Sequence, residues 1–183
     1  MTSIIGIDGF SGAGKTTLAQ MCASRTRLSV VSIEDFYEGW DGLEAGVERA
    51  REQLLVPLRE GRRPVIRPWD WEHDREGPPI TPDLEETVVL EGCGAGARRL
   101  RELQDLTIWV DADPEERERR LRRREDWPLY APHREAFEQA EQGLARRDRT
   151  REEADVVLRV TPDGGISVAK GRQELPEWVR SAA

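Results

Sequence analysis

Gly9-Phe10-Ser11-Gly12-Ala13-Gly14-Lys15-Thr16 decides how this chain is read. A short apolar run, Ile4-Ile5-Gly6-Ile7, precedes it, and a helical pattern, Thr16-Thr17-Leu18-Ala19-Gln20-Met21-Cys22, follows it. This is G-x-x-x-x-G-K-[ST] in the setting it requires, strand before and helix after. The spacing has a chemical reason. Glycines let successive backbone N–H groups curl around phosphate oxygens with no Cβ in the way. The helix N-terminus adds partial positive charge. Gly9, Ser11, Gly12, Ala13, Gly14, Lys15, Thr16 and Thr17 are therefore candidate nucleotide-binding residues. In this pattern Lys15 reaches the β- and γ-phosphates and the Thr16 hydroxyl can ligate Mg2+. The chain has one other lysine, Lys170, against many arginines. A compact ammonium is retained where a planar guanidinium cannot replace it.

Length and composition narrow the classes. A chain of 183 residues predicts one domain over 1–183, long enough to bury a real core. A net charge of −8 argues against a general nucleic-acid or anionic-membrane surface. Charged residues make up 35%, which predicts an ion-paired surface on long helices. No apolar run approaches twenty residues and no signal-peptide pattern opens the chain, so a cytoplasmic protein is expected. Cys22 and Cys93 form no disulfide framework, and Cys22, four residues after Leu18, suits core packing. The chain contains no Asn, so neither a GTPase base-reading Asn nor a protein-kinase metal-binding Asn is present.

Outward from the loop, apolar runs predict strands at 2–8, 28–33, 87–90, 106–110 and 154–160, with an edge strand at 166–168. Between them, helical patterns cover 15–25, 43–60, 97–104, 114–125 and 133–149. Pro57 should kink or shorten the second helix, and Gly61 should close it. Pro114 behind Asp113 suits a helix start. Residues 62–82 break the pattern with five prolines and two tryptophans, and Val65-Ile66-Arg67 and Pro79-Ile80-Thr81 can pair. An excursion this long inside a compact domain is functional or disordered, and its tryptophans favour order. Strand alternating with helix predicts an α/β fold: a five-stranded parallel sheet with helices on both faces, the three-layer P-loop NTPase arrangement, with a small lid at 114–130.

Ligands of such sheets bind beyond the C-terminal strand ends, and acids stand there: Asp8, Glu34-Asp35, Glu91 and Asp111. Asp35 can accept a proton from a substrate hydroxyl during phosphoryl transfer, or it can be a loop cap. Glu91 can hold Mg2+ directly or through water, or be structural. Arg117, Arg120 and Arg124 share a helix face at i, i+3, i+7, a face with no acid on it, which can close over a triphosphate. The remaining arginines, interleaved with Glu115, Glu116, Glu118 and Glu125, read as an ion-laced surface. His73, among aromatics and charges in Trp69-Asp70-Trp71-Glu72-His73-Asp74-Arg75, is either exposed or part of a site for a planar, polar substrate.

These segments resemble those of the uridine kinase family of P-loop nucleoside kinases, from Ile4 to about Val160. Asp35-Phe36-Tyr37 is similar to the family's Asp-x-Phe-Tyr segment, one residue shorter, which leaves Asp35 or Glu34 as the base. Residues 69–75 resemble the aromatic-Asp-aromatic stretch leading into His-x-Arg that contacts the nucleoside. Val89-Leu90-Glu91-Gly92 resembles its third-strand end, and Asp111-Ala112-Asp113 with Arg117, Arg120 and Arg124 resembles its lid helix. The resemblance implies Mg2+ and ATP on residues 9–17 with Thr16 and Glu91 at the metal. It implies Asp35, Lys15, Arg120 and Arg124 as catalytic residues, with Arg117 on the nucleotide. Tyr37, Trp69, Asp70, His73 and Arg75 would then contact a small-molecule acceptor, a nucleoside first. A monomer or homodimer with no nucleic-acid or membrane partner is expected. A nucleoside monophosphate or other metabolite kinase, with Arg67 and Arg75 at the acceptor phosphate, and a non-kinase nucleotide-binding module are the alternatives.

Overall fold

The computed structural model describes residues 2–161 and 164–171. β1 (Ser3–Asp8) runs into the phosphate loop and α1 (Lys15–Ala23), and β2 (Ser29–Ser32) runs into a 3-10 turn (Ile33–Phe36). α2 (Leu43–Ala50) continues through a π turn (Arg51–Leu55) into α3 (Val56–Arg59). A two-residue hairpin, β3 (Trp69–Asp70) and β4 (Arg75–Glu76), precedes β5 (Thr87–Glu91). Then come α4 (Arg98–Arg101), β6 (Leu106–Ala112), α5 (Pro114–Leu121) and α6 (Trp127–Tyr130). A 3-10 turn (Ala131–His133) leads into α7 (Arg134–Asp148), α8 (Thr150–Glu153), β7 (Val156–Val160) and β8 (Ile166–Lys170).

The main sheet has the order β2-β5-β1-β6-β7-β8. Its first five strands are parallel and β8 is an antiparallel edge, as the patterns predict. The strands read as unbroken apolar runs because both faces are covered. Alternate side chains serve opposite layers. Ile4, Val88 and Leu90 pack under α2 and α3 with Leu54 and Leu55, whereas Ile5, Ile7 and Val89 pack with Leu18, Ala19 and Val110 beneath α1. Because the five strands run the same way, the segments after Asp8, Ser32, Glu91 and Ala112 gather at one edge. Among the described residues no helix is long and apolar enough to cross a membrane.

Pro57 does not shorten the helix as expected, and a π turn stands before it instead. Proline lacks an N–H and its ring clashes with the carbonyl four residues back. The wider π turn directly before it absorbs that defect, and the helix runs on without a break. Gly61, at φ +69°, then ends it: its N–H reaches the Leu58 carbonyl at 3.2 Å and the Arg62 N–H reaches the Pro57 carbonyl at 2.8 Å. The 62–82 excursion is ordered. Ile66 and Ile80 exchange backbone hydrogen bonds of 2.9 and 2.8 Å, the pairing expected for those segments. Arg49 ties the excursion to α2 through Glu38 (2.7 Å), Glu76 (3.1 Å) and the Arg67 carbonyl (2.8 Å).

The lid helix is shorter than its pattern. α5 starts as expected, with the Asp113 carboxylate accepting from the Glu115 and Glu116 N–H groups, but it ends at Leu121 rather than near Glu125. Leu121 is its last buried residue, and the arginines that follow have no core to meet. α4 likewise covers Arg98–Arg101 rather than the longer 97–104.

Two helix glycines make opposite demands. A Cβ on Gly46 in α2 would lie 2.4 Å from the Tyr37 ring. That ring cannot yield, because it is buried and its hydroxyl donates to the Cys93 carbonyl at 2.6 Å. A Cβ on Gly143 in α7 meets nothing within 4 Å. Alanine gains about 0.5–1 kcal/mol of helix propensity at either site, while overpacking costs about 1–3 kcal/mol. Gly143→Ala should therefore raise the thermal midpoint by a few degrees and Gly46→Ala should lower it. Thermal melts of the two variants that move in the same direction would contradict this packing account.

Candidate active site

The phosphate loop is a cradle of unused donors. Among the described residues, the N–H groups of Gly12, Gly14, Lys15 and Thr16 have no hydrogen-bond partner, while the Ala13 N–H bonds the Phe10 carbonyl at 3.0 Å. Gly12 adopts φ +79°, and a Cβ there would meet the Arg117 carbonyl oxygen at 2.6 Å. The lid helix therefore lies directly on the loop. Behind it, the buried Asp8 carboxylate fixes the neighbouring loop. It accepts from the N–H groups of Gly9 (2.7 Å), Gly94 (2.9 Å) and Gly96 (3.0 Å). Burial pushes its pKa up to about 6, against the opposing pull of the Gly9 N–H and the Lys15 charge. Asp8 thus holds the site together and does not face a ligand.

Lys15 is buried, and its ammonium donates to the Phe10 carbonyl at 3.1 Å and to the Cys93 sulfur at 3.4 Å. Burial alone would push it down. The Cys93 sulfur and the Glu141, Asp8 and Glu91 carboxylates outweigh that effect and hold it charged. The Thr16 hydroxyl faces Glu91, 3.0 and 3.2 Å from its two oxygens. A hydroxyl and a carboxylate meeting beside free loop N–H groups are the hard oxygen donors that Mg2+ takes. Burial raises the Glu91 carboxyl, and Glu34 and Asp35 lie close enough to raise it further. Asp35 is half-buried and likewise raised, by desolvation first and by Glu34 second. Asp111 is turned away: it accepts from the Trp109 indole (2.6 Å) and pairs with Arg151 (2.7 Å).

The three arginines of the lid divide. Arg117 donates to the Ser11 carbonyl at 3.3 Å and lies over the Phe10 ring. Arg120 donates to the Ala13 carbonyl at 3.4 Å. Both therefore sit on the phosphate loop. Their face is not free of acid, contrary to expectation: Glu116 binds Arg120 and Arg119, each at 2.6 Å, and falls to a pKa of about 2 through its bond with Arg119. Arg124 lies beyond the end of α5 and bonds both oxygens of Asp126, at 2.8 and 2.5 Å.

Beside the loop opens a cavity of about 340 Å3. Ser11 is shared between the two, and Glu34, Tyr37, Trp40, Trp71, Arg124, Asp126, Leu129, Tyr130, His133 and Phe137 complete its wall. Trp40 stacks on His133, with centroids 4.7 Å apart and planes 6° off parallel, and packs on Trp71 at 5.1 Å and Tyr130 at 5.7 Å. Of the expected acceptor residues, only Tyr37 belongs to this wall. Trp69, Asp70, His73 and Arg75 do not line it. The Asp70 carboxylate instead ties the β3–β4 turn, bonding the His73 N–H at 3.2 Å and the His73 ring at 2.9 Å. The excursion contributes Trp71 instead. Asp35 is not a wall residue, whereas Glu34 is. Sequence analysis does not name Trp40, Tyr130, His133 and Phe137, because the fold alone brings the 130–137 stretch to the distant Trp40, although Tyr130, Phe137 and Leu144 keep a helical spacing that marks one face.

No protein-family model matches the chain. It is 26% identical to a cytidylate kinase from Solibacter usitatus, over 97% of this chain and 92% of that protein. It is 31% identical to a uridine kinase from Macrococcus caseolyticus over 61% of this chain and 63% of that one, and 28% identical to a uridine kinase from Latilactobacillus sakei over 60% of each. The chain thus spans less than two thirds of the uridine kinases it matches. In structure it is similar to a possible uridine kinase from Bacillus stearothermophilus, with a TM-score of 0.59 at 21% identity, covering 85% of this chain and 88% of that one. It is also similar to shikimate kinase from Bacteroides thetaiotaomicron, with a TM-score of 0.54 at 18% identity over 98% and 93%. With its phosphate loop and parallel sheet, these likenesses show that the chain has the α/β fold of the kinases it is similar to.

Proposed function

We propose that the protein transfers the γ-phosphate of ATP to a hydroxyl of an unphosphorylated, ring-bearing acceptor, a nucleoside being the first candidate. One observation carries this reading: the aromatic cavity and the phosphate loop share Ser11, so an acceptor held against Trp40, Tyr130 and Phe137 lies beside the loop's free donors. Aromatic walls suit a planar ring. Residues 9–17 would bind the triphosphate, with Lys15 and Arg120 nearest the transferring group and Arg117 on the loop. Thr16 and Glu91 would hold a Mg2+ ion, whose charge would offset the negative charge of the triphosphate. A carboxylate of the 33–36 turn takes the acceptor proton. Glu34 and Asp35 are the two candidates.

The monophosphate-kinase alternative draws support from the cytidylate kinase relative. An acceptor phosphate would need a cation in the cavity. Among the described residues Arg124 is the only lysine or arginine in its wall, and it is already bound at both oxygens of Asp126. Arg67 and Arg75, the earlier candidates for that task, are not wall residues. A binding module without an acceptor would have no use for an enclosed aromatic wall.

Release of ADP from Mg2+·ATP, measured against panels of nucleosides, nucleoside monophosphates and sugars, tests the reading. Acceptor-dependent release is expected with an unphosphorylated acceptor, while release indifferent to every acceptor would remove the kinase assignment. Trp40→Ala should raise the acceptor KM at least about fivefold and leave the KM for ATP within about twofold, since stacking on an aromatic face is worth about 1–3 kcal/mol.

The base can be assigned by its pH profile. A general base must be deprotonated, so kcat/KM falls as pH drops through its pKa. Burial and the Glu34 charge set Asp35 above the ordinary 3.8. If Asp35 is the base, Asp35→Asn loses roughly 10²–10⁴-fold, while Glu34→Gln stays active with its acidic limb moved to lower pH. Loss in Glu34→Gln with a near-normal Asp35→Asn would assign Glu34 instead.

A further inference from the structure

Glu141 is a buried carboxylate that the proposed chemistry does not use. It lies in α7, at 4% exposure, on the same helix face as Phe137 and Leu144. One of its oxygens, Oε2, accepts the Ser11 backbone N–H at 2.9 Å, the Ser11 hydroxyl at 2.8 Å and the Cys93 thiol at 3.1 Å. The other, Oε1, is buried with no hydrogen-bond partner among the described residues. Placing an anion in a site built for phosphate is unfavourable in isolation, because it repels the ligand. Three donors converging on a single oxygen mark a contact that fixes geometry.

We propose that Glu141 is a positioning residue for the phosphate loop. By capturing the Ser11 N–H and hydroxyl, it fixes the first half of the loop. The donors that follow, on Gly12, Gly14, Lys15 and Thr16, are left free and preorganised for phosphate. Glu141 reaches Ser11 from across the fold, 130 positions away. The proposal rests on residues 9–16 being a nucleotide phosphate site.

Two effects oppose each other in a Glu141 variant, and their sign separates the explanations. Loss of the hold on Ser11 weakens nucleotide binding. Loss of a nearby negative charge strengthens it. Equilibrium binding of ADP, measured by calorimetry on the whole chain with no acceptor present, reads the difference. Glu141→Ala, which removes every acceptor, is expected to weaken ADP at least tenfold. Glu141→Gln keeps one acceptor oxygen for Ser11 and should remain within about threefold of wild type. Leu144→Ala serves as the control for helix stability. Leu144 is buried one turn further along α7 and does not bond the loop. It should lower the thermal midpoint and leave ADP affinity unchanged.

The proposal fails if Glu141→Ala binds ADP as well as or better than wild type, which would make Glu141 a charge partner of Lys15 only. It also fails if Leu144→Ala weakens ADP as much as Glu141→Ala, since α7 would then act only by being folded. A wild-type chain that binds no ADP overturns the phosphate-site reading itself, and this proposal with it.

Discussion

A buried ammonium sets the terms for the whole C-terminal edge of the sheet. Removing an ion from water costs several kcal/mol even after the protein relaxes, so Lys15 is tolerable inside only with anions and acceptors around it. Asp8 comes from β1, Glu91 from β5 and Glu141 from α7, and all three carboxylates are buried. Each would be costly alone. Each is therefore hydrogen-bonded by something that must itself stay put: Asp8 by three loop N–H groups, Glu91 by Thr16, Glu141 by Ser11. The loops after β1 and β5 are thus locked to one another through the charge they share. A phosphate loop whose N–H groups are left for a ligand gains nothing from bonds within the loop, so its shape must be held from outside. This lattice of buried acids is what keeps it open.

The parts of the molecule that could be read from the chain are those in which local chemistry dictates spacing. Five strands were legible because each is covered on both faces and so reads as a continuous apolar run. The phosphate loop was legible because a Cβ at Gly12 would lie 2.6 Å from the Arg117 carbonyl oxygen of the lid, so only glycine fits there. The lid was read too long because charge alone continued the helical pattern after Leu121, and charge without a buried face does not hold a helix against a core.

The aromatic cavity was not legible in that way. Its wall is drawn from a turn at 34–40, the hairpin at Trp71 and the stretch from Arg124 to Phe137, which no local rule brings together. The Trp69–Arg75 segment looked like the site because its aromatics and charges are dense in sequence. In the fold, its Asp70 and His73 bond each other, and only Trp71 turns to the cavity. Glu141 left a better trace. Tyr130, Phe137 and Leu144 form an apolar stripe at helical spacing, and an acid inside such a stripe must have a buried partner. The stripe predicts that such a partner exists but not which residue it is.

α7 is where these strands of the argument meet. It has 15 residues and so extends about 22 Å. At its start Arg134 binds Glu118 of the lid helix at 2.7 Å. One turn on, Phe137 lines the cavity, and His133 just before it stacks on Trp40. A further turn brings Glu141 to the phosphate loop, and Leu144 then packs against Gly94 beyond β5. A single rigid helix therefore touches the lid, the cavity, the phosphate loop and the core in succession. A fold this small has no separate scaffold for each site. Under the proposed function, repacking the cavity at Phe137 for a different acceptor would act on the same helix that holds the phosphate loop, which would couple acceptor choice to nucleotide binding.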